Sequence, residues 1–371
     1  MKIRSITLAF AAACAAFGAQ ASEVSLYGVL DTALTWQYRG DVAGTDSSSV
    51  KMMSGQYIGS RFGMKGEETL ASGLKVGFVL ENGYSTDAGT LGQDGRLFGR
   101  DARLYLDGDF GYLSFGRMGS MVGGNGPYAR FGHVVSPFSC GWGFIGGHLQ
   151  VVSLGFEFID NAIAYTTPVF AGLDATVQYS FGTDSKHFGD GTEGKSSVER
   201  LLSGAVRYRS DNLMVAFGIE TINQAQPAAD HLGLDDAISY NLGANYNAGR
   251  AKFFFYTQVF ENYKSAAKTT TFSLDGGVDG YGVNVGVEIP AFGGAVKAGI
   301  GYGDFEGSRE KKRTMDTIQA ALGYTYSLSR RTTFYTAGGW IKSDYSKEHE
   351  LKNPQAVEDA YEFTFGLVHK F

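Results

Sequence analysis

The chain has 371 residues, 43% of them hydrophobic, with 53 Gly, 27 Phe, 21 Tyr and a formal net charge of −6. After the first twenty or so residues no stretch offers the roughly 18 consecutive apolar residues of a membrane helix, and the acidic balance argues against nucleic acid as a partner. Glycine runs at about twice ordinary usage, and a single soluble sandwich of this length would be unusual.

The first element reads as an export signal. Lys2 and Arg4 precede an apolar run from Ile6 to Phe17, and Ala19-Gln20-Ala21 is a small-x-small cleavage site. Removal of Met1 to Ala21 before Ser22 is expected. The run is too short for a transmembrane anchor. Cys14 lies within it, but Ala11 stands where a lipoprotein signal carries a large apolar residue. Cleavage leaves Cys140 alone, so no intrachain disulfide can form. It also leaves 30 cationic against 38 acidic side chains, a net charge of −8. Residues 22–371 read as one domain without a linker.

From Val24 onward the chain alternates with period 2, the signature of strands with one greasy and one wet face. Leu26, Leu30, Leu34 and Trp36 oppose Tyr27, Val29, Asp31 and Thr35. Next, Arg61, Gly63 and Lys65 oppose Phe62 and Met64. After a tight turn, Lys75, Gly77 and Glu81 oppose Leu74, Val76, Phe78 and Leu80. Leu173 to Phe181, Tyr281 to Ile289 and Ile318 to Ser327 repeat the pattern. The last strand, Tyr361 to Phe371, shows it without exception: Tyr361, Phe363, Phe365, Leu367, His369 and Phe371 share one register. A soluble protein rarely leaves such a ladder on an edge, because it invites aggregation. A membrane barrel resolves this, with one face to lipid, the other to water, and the last strand closed on the first.

Short links fall near Leu70, Asp107–Phe110, Pro168–Gly172, Ser210–Asn212, Asn247–Gly249, Pro290–Gly294 and Leu328–Arg330. Longer ones fall near Tyr38–Gly55, Thr86–Leu97, Gly119–Phe158, Thr183–Glu199, Asn223–Asp236, Asn262–Asp279, Phe305–Met315 and Ser343–Ala360. Eight long and seven short links imply about sixteen strands, with both termini on the short-turn side. All six prolines fall in predicted links, as fully hydrogen-bonded strands require. The fold class is thus all-β, a transmembrane antiparallel β-barrel. The link 119–158 stands apart, poor in charge and rich in Gly and aromatics, with Tyr128, Phe131, Phe138, Trp142 and Phe144. It is expected to fold into the lumen and narrow it; the alternative is an outer loop packed on its neighbours.

Several local patterns carry the next inference. They are Leu26-Tyr27-Gly28 with Asp31, Ser60-Arg61-Phe62-Gly63-Met64-Lys65-Gly66-Glu67-Glu68, Arg100, and Phe115-Gly116-Arg117. Later come Asn161-Ala162-Ile163-Ala164-Tyr165, Tyr326-Ser327-Leu328-Ser329-Arg330-Arg331-Thr332, and the ending Gly366-Leu367-Val368-His369-Lys370-Phe371. In these the chain resembles the general diffusion porins of Gram-negative outer membranes, especially the beta-proteobacterial branch. The resemblance implies a sixteen-stranded, usually trimeric channel that passes small hydrophilic solutes without energy input. It implies an eyelet made by the third outer loop and faced by wall arginines, here Arg61 and Arg100. It also implies that Phe371 marks the last strand for the barrel-assembly machinery, and that lipid or lipopolysaccharide surrounds the barrel. Arg117 matches a position often used at subunit contacts. One departure matters: relatives commonly carry acids on the eyelet loop, yet no Asp or Glu occurs between Gly111 and Phe156, while Arg130 and His133 do. The acidic side would then fall to Glu157, Asp160, Asp31 or Glu81.

Charge at the narrowest point of a low-dielectric wall selects among solutes. Arg61, Lys65, Lys75 and Arg100 lie on the inward register, with Arg207, Arg209 and Lys297 across the barrel. A mild anion preference is expected, with Asp31, Glu81 and Arg130 as further wall candidates. Outward Trp36, Tyr324, Tyr326 and Phe371 fit interfacial girdles. Gly189 to Ser196 matches the phosphate-cradling P-loop, but it lacks the strand-to-helix setting that motif needs. Lipase-type Gly-x-Ser-x-Gly and zinc-type His-Glu-x-x-His patterns are absent, so no enzyme, cofactor or metal is expected. The alternatives are a substrate-specific channel for sugars or organic anions, using Tyr128, Phe131 and Trp142 as an aromatic slide, and a barrel protease or lipase built from loop residues.

Overall fold

A computed structural model describes residues 24–371 other than Asn125 and Asp190. The expected export signal, Met1 to Ala21, lies outside the described residues. Seventeen strands form one sheet. They are β1 (Ser25–Asp41), β2 (Asp46–Ser54), β3 (Arg61–Thr69), β4 (Lys75–Gly83), β5 (Asp101–Gly108), β6 (Gly111–Gly119), β7 (Phe158–Thr166) and β8 (Leu173–Ser180). The others are β9 (Arg200–Arg209), β10 (Leu213–Asn223), β11 (Ala237–Asn247), β12 (Lys252–Ala266), β13 (Phe272–Ala291), β14 (Gly294–Gly307), β15 (Thr314–Ser327), β16 (Thr332–Tyr345) and β17 (Val357–Lys370). Short helices α1 (Ser185–Phe188), α2 (Ala228–Leu232) and α3 (Lys347–Lys352) sit in the longer links.

β17 pairs back onto β1, from Val29↔Lys370 up to Asp41↔Val357, and the cylinder closes. Closure removes every open edge, which a bilayer does not tolerate. β2 pairs with the outer half of β1 and β3 with its inner half, so the two share one position and the barrel has sixteen staves. Alternation places the faces as expected. In β17, Glu362, Thr364 and Val368 are buried inside, whereas Tyr361, Phe363, Phe365 and Leu367 face outward.

Two expectations need correction. Tyr38–Gly55 and Asn262–Asp279 are mostly strand rather than link: β1 runs to Asp41 and β2 starts at Asp46, while β12 runs to Ala266 and β13 starts at Phe272. Beyond the bilayer a hydrogen-bonded ladder needs no greasy face, so the alternation fades before the strand does. Pro290 is the penultimate residue of β13 rather than part of the turn, a strand end where a missing N–H is tolerated. The second stave is interrupted at Gly55–Ser60, between β2 and β3.

The P-loop-like stretch lies between α1 and β9, with its helix before it rather than after, and Lys195 Nζ donates to the Gly191 carbonyl at 2.9 Å. Asp190 within it lies outside the described residues.

The outer links pack on one another. His349 of α3 sits between the rings of Phe272 (4.9 Å) and Tyr345 (5.0 Å), with Arg313 Nη2 3.3 Å from its Nδ1. Burial, reinforced by the Arg313 charge, pushes the His349 pKa down to about 4. Between its ordinary value of 6.5 and about 4 the unfolded loop therefore binds more protons than the docked one. Docking is fully stable above pH 6.5 and weakens as pH falls toward 4. Amide protection factors across residues 347–356, taken relative to intrinsic exchange at each pH, are expected to fall as pH drops through that window, and His349→Gln to flatten the dependence.

Candidate functional site

The segment between β6 and β7 enters the barrel and lies against its inner wall. Tyr128, Phe131, Phe138, Trp142 and Ile145 are each at most 1% exposed. Polar side chains of the wall take up the segment's main-chain groups: Gln258 Oε1 accepts from Ser153 N (2.9 Å), Gln178 Oε1 from Met121 N (3.0 Å), and Gln319 Nε2 donates to Gly147 O (3.1 Å). Buried main-chain groups require such partners. Glycines make the close approach possible. Gly282 and Gly303 oppose each other across β13–β14, and a Cβ on either would run into the Val151 carbonyl oxygen.

What remains is a lumen cavity of about 900 Å³. One side is made by Gly55, Tyr57, Ile58 and Gly59, with Arg61 of β3 and Arg100 just before β5; the other by the inserted segment, including His133, Ser136 and Cys140. The early strands bring the two arginines together at Glu81. Arg100 Nε donates to Glu81 Oε1 at 2.8 Å, Arg61 Nε lies 3.5 Å from Oε2, and Tyr27 Oη donates to Oε2 at 3.0 Å. Arg100 also lies over the Phe158 ring, 5.1 Å from its centroid. The carboxylate fixes both guanidinium groups but neutralises only one of them.

Lys252, Lys268, Lys297 and Lys370 bring the cations on the cavity to six, against Glu157, Glu220 and Glu288. Counting Glu81 behind the arginines, the wall keeps two positive charges more than negative ones. Lys252 and Lys370 could have been read from their inward register, whereas Lys268 sits in a link without one. Glu220 and Glu288 carry the same register signal and were equally open to discovery.

Other residues singled out by sequence lie elsewhere. Lys65 is exposed, its Nζ 5.8 Å above the Tyr27 ring, and Lys75 pairs with Glu67 at 2.9 Å beside the turn joining β3 and β4. Asp31 is fully buried behind Gly55–Ser60 rather than on the cavity. Arg130 is buried too: it donates to Pro127 O (2.8 Å), Thr166 Oγ1 (3.1 Å) and Thr176 Oγ1, 3.7 Å from Asp174. That places it under the start of the inserted segment, fastening it to β7 and β8. Arg207 and Arg209 gather on the same Asp174, at 3.0 and 3.5 Å. Arg117 and Arg96 take Asp160. Tyr128, Phe131 and Trp142 are packed into the wall, so they form no aromatic slide. Phe371 exchanges both main-chain hydrogen bonds with Gly28, at 3.1 and 3.2 Å, completing the seam.

Comparison with known proteins agrees with this geometry. The profile of the Gram-negative porin family matches residues 7–346. An outer membrane porin protein of Bordetella pertussis is 29% identical, covering 91% of this chain and 94% of its own. Outer membrane porin protein 32 of Delftia acidovorans is 31% identical over the whole of both chains. Among solved structures, an anion-selective porin from Comamonas acidovorans superimposes with a TM-score of 0.71 at 25% identity, covering 94% of this chain and all of its own. A closed sixteen-stave barrel, a wet lumen narrowed by an inserted segment, and a match along nearly the whole sequence place this chain in the Gram-negative porin family, as an outer-membrane diffusion channel.

Proposed function

We propose that this channel passes small hydrophilic solutes and ions passively, with a mild preference for anions. The observation that carries this is the Arg61–Arg100 pair, held on the cavity by a single carboxylate within a wall of six cations and four acids. The likeness to an anion-selective porin supports it. In a narrow, low-dielectric passage fixed charges act on a solute far more strongly than at an open surface. The working form is a homotrimer in the outer membrane, made after loss of residues 1–21, with 119–158 as its constriction loop. The strand ending at Phe371 is the segment offered to the barrel-assembly machinery, and lipopolysaccharide and lipid surround the apolar band. This reading makes the chain a passage rather than an enzyme, and the match to the Gram-negative porin family supports it. Planar bilayers in a tenfold KCl gradient test the proposal. A reversal potential on the chloride side is expected; one on the potassium side would overturn the anion preference while leaving the channel itself intact.

A further inference from the structure

We propose that Gly55–Ser60 is a second constriction element, opposite the inserted segment, and that Asp31 is the positioning residue that holds it there. The proposal rests on the channel reading and adds to it a determinant of solute size and of where Arg100 sits.

Between Ser54 and Arg61 the second stave leaves the wall, so the ladder from β1 has no partner strand there. Asp31 of β1 supplies the missing partners from one residue. Its carbonyl accepts from Gly55 N–H at 3.0 Å, and its N–H donates to Ser60 Oγ at 3.0 Å, so both ends of the segment are tied. One carboxylate oxygen accepts from Tyr57 N–H and Ile58 N–H, each at 2.7 Å; the other accepts from Tyr335 Oη at 2.6 Å. Asp31 is 0% exposed and, among the described residues, has no ion pair. A buried carboxylate without a cation is costly unless hydrogen bonds replace its hydration. Here two of the three come from this one stretch of backbone.

The clasp reaches the channel in two directions. Tyr57 packs on Trp142 of the inserted segment (4.5 Å between centroids) and on Tyr335 (5.4 Å), and Tyr335 meets Trp142 edge-on at 5.6 Å. On the other flank a Cβ on Gly59 would stand 3.0 Å from Arg100 Nη1, so the backbone abuts the guanidinium itself. Gly55, Tyr57, Ile58 and Gly59 all line the cavity. Losing the clasp would free backbone into the lumen, open the Tyr57–Trp142 contact and release Arg100 on one side.

The test compares wild type, Asp31→Ala and Asp31→Asn in planar bilayers, with polyethylene glycols of graded size as pore probes. Asp31→Ala is expected to admit larger polymers, to raise unit conductance by about 1.5-fold or more as the narrowest section widens, and to move the reversal potential toward zero. Asp31→Asn keeps an oxygen for the two N–H groups but cannot accept from Tyr335, so it should fall between. Wild-type conductance, polymer cut-off and reversal potential in a folded Asp31→Ala channel would overturn the proposal. Should that variant not assemble, Tyr335→Phe and Ser60→Ala each remove one clasp contact at nearly constant shape. Wild-type values of all three readouts in both would overturn it equally. A wild-type protein that conducts nothing would instead defeat the channel reading.

Discussion

Replacing Arg61 and Arg100 together by alanine is expected to abolish the anion preference and bring the reversal potential to zero or slightly onto the potassium side. Both guanidinium groups lie on the cavity, and their shared partner Glu81 would be left as an unpaired carboxylate in the same place. The local balance therefore moves from one excess positive charge to one negative. At an effective dielectric near 20, a unit charge about 8 Å from a passing ion contributes roughly 2 kcal/mol before screening, and about 1 kcal/mol in an electrolyte-filled lumen. A change of 1 kcal/mol is about a fivefold change in the permeability of either ion for each charge removed, downward for chloride and upward for potassium. Single replacements should give about half the shift, with Arg100 the larger because its side chain is the more enclosed and directly hydrogen-bonded to Glu81. Glu81→Gln should move the potential further toward chloride. A double variant that keeps the wild-type reversal potential would show that the lysines elsewhere on the wall, not the arginines, set selectivity.

The second large effect concerns the inserted segment. Gly282→Val is expected to lift it off the wall and raise conductance, because the Val151 carbonyl lies against Gly282 and Gly303 with no room for side-chain atoms. Overpacking a contact of this kind costs about 1–3 kcal/mol, which lowers the docked population by roughly 5- to 150-fold relative to the displaced one. The barrel hydrogen bonds at Gly282 are main-chain bonds to Gln258 and Gly303 neighbours and survive the substitution. The variant should thus still assemble and stay resistant to heat in detergent, while showing long-lived high-conductance levels and new protease cleavage within residues 120–157. Gly303→Val should act in the same direction. Unchanged conductance together with intact protease resistance would mean that the wall yields there rather than the segment.

Much of the architecture is legible in the sequence. Period-2 ladders such as Tyr361–Phe371 force one face to lipid and one to water, because a bilayer offers backbone and side chains no third choice. Turn residues at Pro168–Gly172 or Leu328–Arg330 then punctuate the staves, and the charge-poor, aromatic-rich composition of 119–158 favours a stretch packed inward over a solvated outer loop. Strand limits were less legible where the bilayer stops acting. β1 and β2 continue through Gln37–Ser49 on hydrogen bonds alone, without the greasy face that betrays a strand.

The site was half legible, and the division follows from physics. Register is a local property, so the sequence alone puts Arg61 and Glu81 on the face away from lipid, whereas Arg100 lies just before β5 and reaches the cavity without a strand register of its own. Height along the barrel and the choice of partner depend on how sixteen staves are staggered and on what the inserted segment covers, and those are long-range facts. Only the tertiary structure decided that Lys75 is spent on Glu67 and that Arg130 fastens the segment at Asp174 instead of facing solute. Only it showed Asp31 clasping a break in the neighbouring stave 24 residues and more along the chain. A charged side chain takes whichever opposite group or N–H lies nearest in space, and alternation says which face it is on but not which neighbour the closed cylinder brings to it.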